Sequence, residues 1–284
     1  MHRAVALTLV TVLLGSDTSA DRASTLSGWY ESVGAPLPGE GFGSFLGRVA
    51  RAHVGAPYGY ASETPEVETL TVEVGRFECV SFVESSLAVA RCVWLQEPTQ
   101  ECFVWEVMGL RYRSGLMSDH ASRLHYFADW LEDNAGRWRL KDLTAHLGGR
   151  PVHRDFFYLT RTRRGSGDPA LASPSLRRAM VAIEESLSSR PHFVLGRSQV
   201  RDATGLLQDG DLVAVVGNKP GRLVTHVGFV LRSEGGRIRL VHASSYHRRV
   251  VLTREDLADY LLRRPERTGV MVARPLPPSP PSTR

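Results

Sequence analysis

The fold of this chain is indicated most clearly by residues 224–231, which read VTHVGFVL. Apolar residues dominate the run, as in a strand that is buried within a sheet. Gly228 has no side chain, so another backbone or a ligand can approach the strand at that point. His226 is polar in these apolar surroundings. It is therefore a candidate catalytic base, with a hydrogen-bonded structural histidine as the alternative.

Short strands surround this segment in the last third of the sequence. Apolar, β-rich runs occur at residues 212–216, 238–242, 250–252 and 270–273, with a hairpin signal at 234–236 and a predicted helix at about 254–263. Helical periodicity dominates the first two thirds, at residues 42–54, 79–91, 102–113, 119–133 and 176–188. Helices first and closely spaced strands last predict an α+β domain with an antiparallel sheet.

The composition is that of a globular protein. The 284 residues are 42% hydrophobic and 23% charged, which excludes a collagen, a coiled coil and a wholly disordered chain. The formal net charge is +5, and lysine occurs only at Lys141 and Lys219, so nearly all basic residues are arginine. No basic stripe is present, so we predict no nucleic-acid partner. The positive charge suits an anionic surface or a carboxylate-rich substrate.

The N-terminus has the pattern of a secretory signal peptide. A basic start is followed by an apolar run at residues 4–14 and by small residues at Thr18 and Ala20. This predicts cleavage after Ala20 and export to the periplasm or the medium, with a buried N-terminal helix as the alternative. The run is too short to cross a bilayer and no later stretch qualifies, so the protein is not expected to span a membrane. Residues 275–284, rich in Pro and Ser, are predicted to be a disordered tail.

The chain has three cysteines, too few for a disulfide scaffold. Cys92 and Cys102 flank a polar turn, and a bridge between them is possible in an oxidising compartment. Cys79 would then be the unpaired thiol. It follows a turn and begins a predicted helix, where free N–H groups lower a thiol pKa and offer donors to an oxyanion. The alternative is a buried structural cysteine.

A cysteine nucleophile needs a histidine that is close in space. His226 is the strongest candidate of the ten histidines, because it lies within a strand whose neighbouring residues are apolar. His242 ends the strand after the hairpin and should pair antiparallel with the His226 strand, about 4.8 Å away. It can therefore orient the His226 ring. Neither a carboxylate nor a third histidine lies nearby to complete a metal site, so no metal or cofactor is predicted.

These segments, taken in order, resemble the NlpC-type papain-like cell-wall cysteine peptidases. The resemblance rests on Cys79 at a helix start, GDL at 210–212, HVG at 226–228 and HA at 242–243. One branch matches more closely, the N-acetylmuramoyl-L-alanine amidase-like family. The segments that carry this match are FECVSFVE at 77–84, LRYR at 110–113 and SRLHYFADW at 122–130, and the resemblance covers about residues 40–275.

The resemblance implies a papain-like cysteine peptidase core, in which a helix that bears Cys79 packs on the antiparallel sheet, within a single catalytic domain over residues 21–274. It also implies an exported amidase that cleaves the bond between N-acetylmuramic acid and L-alanine in peptidoglycan fragments through an acyl-enzyme. Cys79 would be the nucleophile, His226 the base and His242 the orienting group. Two departures stand out. Glu78 replaces the family's usual aspartate, and the long span from Cys79 to His226 implies a helical insertion at about 95–200.

The insertion supplies candidate substrate contacts. On the predicted helix 119–133, Arg123 and Tyr126 share a face, with Trp130 one turn further. That face suits the polar groups of a muramic acid. An ordinary amphipathic helix with Tyr126 and Trp130 in the core is the alternative. The predicted substrate-binding set is Tyr58, Arg123, Tyr126 and Ser244.

Three other functions are compatible with the sequence. The first is an endopeptidase of the same fold that cuts between D-glutamate and the diamino acid of peptidoglycan. The second is a catalytically inactive cell-wall-binding module. The third is a transglutaminase-like acyltransferase. We favour this last one least, because such enzymes usually orient the histidine with an aspartate rather than with a residue such as His242.

Overall fold

The computed structural model describes residues 19–59, 67–72, 74–162 and 167–279. The helices of this part of the chain are α1 (Ser19–Val33), α2 (Phe42–Ala52), α3 (Cys79–Trp94), α4 (Gln100–Arg111), α5 (Phe127–Gly136), α6 (Tyr158–Arg161), α7 (Pro174–Ser188), α8 (Val200–Ala203) and α9 (Leu257–Leu262). The strands are β1 (Leu140–Asp142), β2 (Arg150–Val152), β3 (His192–Gly196), β4 (Leu212–Gly217), β5 (Val224–Arg232), β6 (Ile238–Ser244), β7 (Arg249–Leu252) and β8 (Arg267–Pro275).

The strands form one sheet in the order β2-β3-β8-β4-β5-β6-β7, and β1 pairs with the end of β8. Every pairing is antiparallel, as the sequence predicts. The predicted strands of the last third all occur, with ends within a few residues of those expected. The α+β class with an antiparallel sheet is therefore confirmed.

Alternating side chains place apolar residues on both faces of the sheet. On one face, Phe229 packs with Phe82 of α3 and Phe45 of α2 in the main core. On the other face, Val230 and Leu240 pack with α8 and α9 in a second core. Burial on both faces explains why these strands read as nearly continuous apolar runs rather than as alternating ones.

Helix α3 is the central helix of the main core. All of its residues from Ser81 to Val93 are buried, including the carboxylate of Glu84. Its last turn is tied to the start of α4 by a disulfide between Cys92 and Cys102. Cys79, at the first residue of α3, is the free cysteine.

The segment predicted as a helical insertion is not entirely helical. Besides α4 to α7 it contains β1, β2 and β3, and β3 pairs directly with β8 of the sheet. Short three-residue strands carry too little periodicity to be recognised in a sequence. The segment is thus anchored to the sheet, and its helices pack beside the start of α3.

The ends of the chain differ in part from expectation. Most of the predicted signal peptide, residues 1–18, lies outside the described residues, and α1 begins at Ser19. The predicted tail is ordered at its start, because Pro275 ends β8 and the Leu276 N–H donates to the Arg139 carbonyl at 2.9 Å. Residues 280–284 lie outside the described part. Within the described residues, no helix combines the length and the apolar character that a membrane span requires.

Candidate active site

The start of α3 is held by the residue that departs from the family pattern. Glu78 is the N-cap, and its Oε1 accepts a hydrogen bond from the Ser81 N–H at 2.6 Å. In return, the Ser81 hydroxyl lies 3.0 Å from the Glu78 N–H, which completes a capping box. Glutamate therefore replaces aspartate here without loss of the cap, and Cys79 occupies the first position of the helix.

The two predicted histidines meet across adjacent strands. His226 Nε2 lies 2.7 Å from His242 Nδ1, with the two rings edge to face. This contact uses the Nε2 side of His226 and leaves Nδ1 as the nitrogen available to another partner. Behind the pair, the His242 ring packs on Tyr260, over which the guanidinium of Arg267 lies at 3.7 Å from the ring centroid.

Gly228 makes this approach possible. A Cβ at this position would lie 2.8 Å from the Cβ of His242 and 2.6 Å from the carbonyl oxygen of Val241. Such distances are too short for carbon atoms in contact. The glycine that the sequence marks as a point of close approach is therefore the one that makes room for His242.

The environment of Cys79 does not favour its thiolate in the resting protein. Burial raises the pKa of Cys79 well above its usual value, and the adjacent Glu78 carboxylate, with Oε2 3.5 Å from Sγ, raises it further. Backbone N–H groups of Val227 and of Cys79 itself act in the opposite direction. The expected lowering of the thiol pKa by the helix start is thus wrong, because desolvation and a neighbouring carboxylate outweigh the helix.

Both histidines are neutral near pH 7. Burial, aided by the charge of Arg267, lowers the pKa of His226 to about 4. Burial is the main cause that lowers the pKa of His242 well below its usual value, and the electrostatic effect of the neighbouring His226 ring is the second. The resting site therefore holds a thiol and a neutral imidazole rather than a thiolate–imidazolium pair.

Cys79 and His226 line the same cavity, which has a volume of about 390 Å³. The turn at Glu78–Val80 forms one part of its wall, and residues 125–128, residues 222–227 and Ser245 form others. Phe156, Tyr158 and Leu159, contributed by the segment 95–200, also line it. Among the described residues, no group of three or more His, Cys, Asp or Glu side chains is arranged to hold a metal ion.

The predicted substrate contacts divide into two groups. Tyr58 and Tyr126 line the cavity, whereas Arg123 and Ser244 do not. The backbone of Tyr58 is held by its N–H to the Arg248 carbonyl at 2.9 Å. Ser244 is buried in β6 and its hydroxyl accepts the His247 N–H at 3.2 Å, so its neighbour Ser245 faces the cavity instead.

The predicted helix over residues 119–133 is interrupted, and this changes the surroundings of Arg123. A short 3₁₀ turn at residues 120–122 precedes Arg123, which is extended and pairs with Tyr112 in an antiparallel bridge. Helix α5 begins only at Phe127. Arg123 and Tyr126 therefore do not share a helical face, and the Arg123 Nε donates to Glu68 Oε1 at 2.9 Å. The side chain of Glu68 is only 4% exposed, and it is also held by Tyr112, whose hydroxyl donates to Oε1 at 2.5 Å.

Tyr126 reaches the cavity from a fixed position. Its hydroxyl donates a hydrogen bond to the buried carboxylate of Glu184 in α7, and the same carboxylate accepts the Leu159 N–H at 3.0 Å. Burial and the bond to Glu184 raise the pKa of Tyr126. Glu184 thus joins two parts of the cavity wall. The sequence does not single it out, because only the fold brings α7 beside Tyr126.

The three sequence segments that carried the family resemblance converge on one buried carboxylate. Glu84 Oε2 accepts from Arg111 Nε at 2.8 Å, and Glu84 Oε1 accepts from Trp130 Nε1 at 3.2 Å. Trp130 is fully buried, as expected if it belongs to the core rather than to a substrate-binding face. These two hydrogen bonds fix α3 against α4 and α5, close to the first turn of α3, where Cys79 lies.

Comparisons with known proteins agree with this architecture. A family model described as AmiA-like, N-acetylmuramoyl-L-alanine amidase-like, matches residues 48–270. A crystal structure of an N-acetylmuramoyl-L-alanine amidase from Bacteroides uniformis superposes with a TM-score of 0.76 at 26% identity, covering 83% of this chain and 99% of that one. No curated protein sequence matches the chain significantly.

Two other solved structures are similar. A Bacteroides fragilis protein named as a xylanase has a TM-score of 0.72 and 29% identity, covering 79% of this chain and 98% of that one. Protein LPG0564 of Legionella pneumophila has a TM-score of 0.67 at 17% identity, covering 92% of this chain and 96% of that one, which shows a shared fold.

Proposed function

Because the chain belongs to the AmiA-like family of N-acetylmuramoyl-L-alanine amidase-like proteins, we propose that it hydrolyses the bond between N-acetylmuramic acid and L-alanine with Cys79 as the nucleophile. The family and the similar structures support a cell-wall amidase-like function and a peptidoglycan substrate. Within this proposal the core is papain-like, and the segment 95–200 is an insertion that closes one side of the site. The observation that carries the proposal is the shared cavity of Cys79 and His226, with His242 behind His226.

The proposed reaction begins with a proton transfer. For His226 Nδ1 to accept the thiol proton, its Nε2 must carry a hydrogen and donate it to His242 Nδ1. Since Cys79 and His226 are both neutral at rest, the proton leaves sulfur as the sulfur attacks the amide carbon. The resulting imidazolium is stabilised by His242, as the third member of a triad stabilises the charge on its base.

The remaining steps conserve atoms and charge. The carbonyl oxygen becomes an oxyanion, for which the Cys79 N–H at the start of α3 is a donor. His226 then gives its proton to the alanine nitrogen, the C–N bond breaks, and a muramoyl thioester remains on Cys79. A water molecule, deprotonated by His226, attacks the thioester and releases the lactyl carboxyl group. The proton on His226 returns to sulfur.

The walls that the segment 95–200 adds to the cavity favour a small fragment over a continuous strand of cell wall. Residues of the segment 95–200, including Tyr126, Phe156 and Tyr158, form part of its wall. A glycosidase, by contrast, uses a pair of carboxyl groups that flank the scissile bond. Among the described residues that line the cavity, Glu78 is the one carboxylate, and it is occupied as a helix cap. The cavity therefore supports amide cleavage rather than xylan cleavage.

Mass spectrometry of digested muropeptides tests the proposal. We expect a muramoyl-tripeptide to give free N-acetylmuramic acid and intact tripeptide, and the Cys79→Ala variant to give neither. Products cut between D-glutamate and the diamino acid would instead establish the endopeptidase. Binding without turnover by the wild type would establish the inactive wall-binding module.

We also propose that the protein is exported through its N-terminal signal peptide. The support is the basic, apolar and small-residue pattern of residues 1–20. N-terminal sequencing of protein recovered outside the cytoplasm should begin at Asp21. Recovery of a chain that begins at Met1 from the cytoplasm would contradict export.

A further inference from the structure

One arginine in the cavity has no anionic partner. Arg222 lines the cavity, and its Nε is buried without any hydrogen-bond acceptor. Among the described residues, no carboxylate lies within ion-pair distance of its guanidinium. The guanidinium lies instead over the ring of Tyr158, whose centroid is 4.4 Å from the guanidinium carbon.

Three other arginines near the cavity are neutralised by carboxylates. Arg111 pairs with Glu84 at 2.7 Å, Arg113 with Asp129 at 2.5 Å and Arg123 with Glu68 at 2.9 Å. An N–H group that is buried without an acceptor is costly, and the cost is greater for a charged group. Arg222 therefore differs from these three arginines: its buried Nε–H has no hydrogen-bond acceptor, and the residue lies in the wall of the cavity.

The fold holds Arg222 in this place. The preceding Gly221 has a φ of +72°, and its carbonyl accepts the N–H groups of Phe157 and Tyr158, each at 3.1 Å. A Cβ on Gly221 would lie 2.7 Å from the Tyr158 nitrogen. The turn is thus pressed onto the first residues of α6, and the guanidinium is stacked on the Tyr158 ring rather than free to swing into solvent.

Of the described residues in the cavity wall, Arg222 is the positively charged one near pH 7, because the histidines that line the cavity are neutral there. His226 is neutral near pH 7, and burial lowers the pKa of His125 to about 3. Glu78 is engaged by the first turn of α3. A planar guanidinium is suited to a carboxylate, which it can bind through two parallel hydrogen bonds. The cavity is therefore complementary to a ligand that brings one carboxylate.

The proposed substrate has its first carboxylate in the peptide. In a muramoyl peptide the lactyl carboxyl group is consumed by the scissile amide, so the sugar carries no charge. The nearest carboxylate to that bond is the α-carboxylate of the second residue, a D-glutamate joined through its γ-carboxyl group. Building on the proposed function, we propose that Arg222 binds this α-carboxylate and is a specificity-determining residue on the peptide side of the site.

A pair of substrates that differ at one group tests this inference. The first is N-acetylmuramoyl-L-alanyl-γ-D-glutamyl-L-lysine amide, and the second has a carboxamide in place of the D-glutamyl α-carboxylate. We expect the wild type to prefer the carboxylate in kcat/KM by on the order of 10- to 100-fold. Arg222→Gln should reduce that ratio to about one by slowing the first substrate alone, and Arg222→Lys should restore part of it.

Controls separate this inference from the proposed function. Arg254→Gln removes the same charge from an exposed position and should leave the ratio at the wild-type value. Binding of both ligands to Cys79→Ala, measured by calorimetry, gives a ratio of Kd values that does not depend on turnover. A preference for the carboxylate in binding without any hydrolysis would keep the inference and overturn the amidase function. Hydrolysis of both substrates at equal rates would keep the amidase function and overturn the inference about Arg222. Binding of neither ligand would overturn the inference and the amidase function together.

Discussion

His226 Nε2 lies 2.7 Å from His242 Nδ1 because Gly228 presents no side chain to the strand beside it. The distance is that of a hydrogen bond. It commits one nitrogen of His226 to His242 and leaves the other for the role of base in the proposed reaction. The order in which protons move in the proposed reaction depends on this contact, and the contact depends on a residue without functional groups.

Gly228→Ala should therefore impair the reaction without removing any polar group. The added methyl would meet the His242 Cβ at 2.8 Å and push the imidazole away from His226. We expect kcat/KM to fall by about 10- to 100-fold, with little change in KM. Gly28→Ala, at a helical glycine with no atom within 4 Å of the new Cβ, is the matched control and should leave kcat/KM unchanged. Equal activity of both variants would show that the histidine contact is dispensable.

Loss of either member of the central pair should be far more damaging. Cys79→Ala and His226→Ala should each lower kcat by on the order of 10³-fold or more, because members of such a unit fail together. His242→Gln keeps a polar group beside His226 and should cost less. Steady-state kinetics on a muramoyl-tripeptide measures all three, with thermal unfolding as the check on folding. A larger loss for His242→Gln than for His226→Ala would reverse the assigned roles.

The pH dependence should show an unusually acidic lower limb. His226 accepts a proton only when neutral, and burial and Arg267 lower its pKa to about 4. The rate constant kcat/KM of the free enzyme should therefore be level near neutral pH and fall as the pH drops through about 4. Arg267→Gln removes a positive charge that disfavours the imidazolium, so it should move this limb to higher pH. Arg263→Gln, an exposed arginine paired with Glu255, should not move it.

Glu78→Gln should make Cys79 more reactive toward iodoacetamide. The amide oxygen can still cap α3 by accepting the Ser81 N–H, but the carboxylate charge that raises the pKa of Cys79 is gone. We expect the pKa of the thiol to fall, so alkylation near neutral pH becomes faster. Glu78→Ala removes charge and cap together and should also lower the free energy of unfolding by about 0.5–2 kcal/mol. An alkylation rate unchanged in Glu78→Gln would mean that burial alone sets this pKa.

Arg123→Ala tests whether the ion pair seen at Arg123 replaces its predicted contact with the sugar. Burial would raise the pKa of Glu68, but the hydrogen bond from His120 and the charge of Arg123 outweigh it and lower this pKa to about 2. Removing Arg123 should therefore reduce the free energy of unfolding by about 1–3 kcal/mol. Discrimination between a muramoyl-tripeptide and the free tripeptide should be unchanged. A selective loss on the muramoyl substrate would restore the contact predicted from the sequence.

The sheet is predictable from the sequence because its signals are local, and the residues proposed to react are marked by local signals as well. Strands β4 to β8 are apolar runs bounded by turns, and Cys79 follows a turn and begins a segment of helical periodicity. Gly228 and His226 stand out because they interrupt an apolar run. Each of these features is visible within a window of about ten residues, which is the range over which periodicity is informative.

The details that differ depend on partners distant in sequence. Helical spacing from 119 to 133 is broken because the Leu124 N–H binds the Arg111 carbonyl at 2.9 Å. The largest cause of the raised pKa of Cys79 is burial in the folded core. Arg222 is one of many scattered arginines in the sequence, and nothing within its own loop distinguishes it from those that are paired. Only the fold shows that Arg222 lies in the wall of the cavity without a carboxylate partner.

The disulfide between Cys92 and Cys102 has a practical consequence for work on this protein. Since the chain has three cysteines, each folded molecule presents a single sulfhydryl, at the start of α3. A thiol-directed fluorophore would therefore report occupancy of the cavity without any cysteine-free background having to be engineered. The fraction of molecules labelled would count intact sites in a preparation, and the appearance of three labelled positions after reduction would mark chains in which the α3–α4 link has opened.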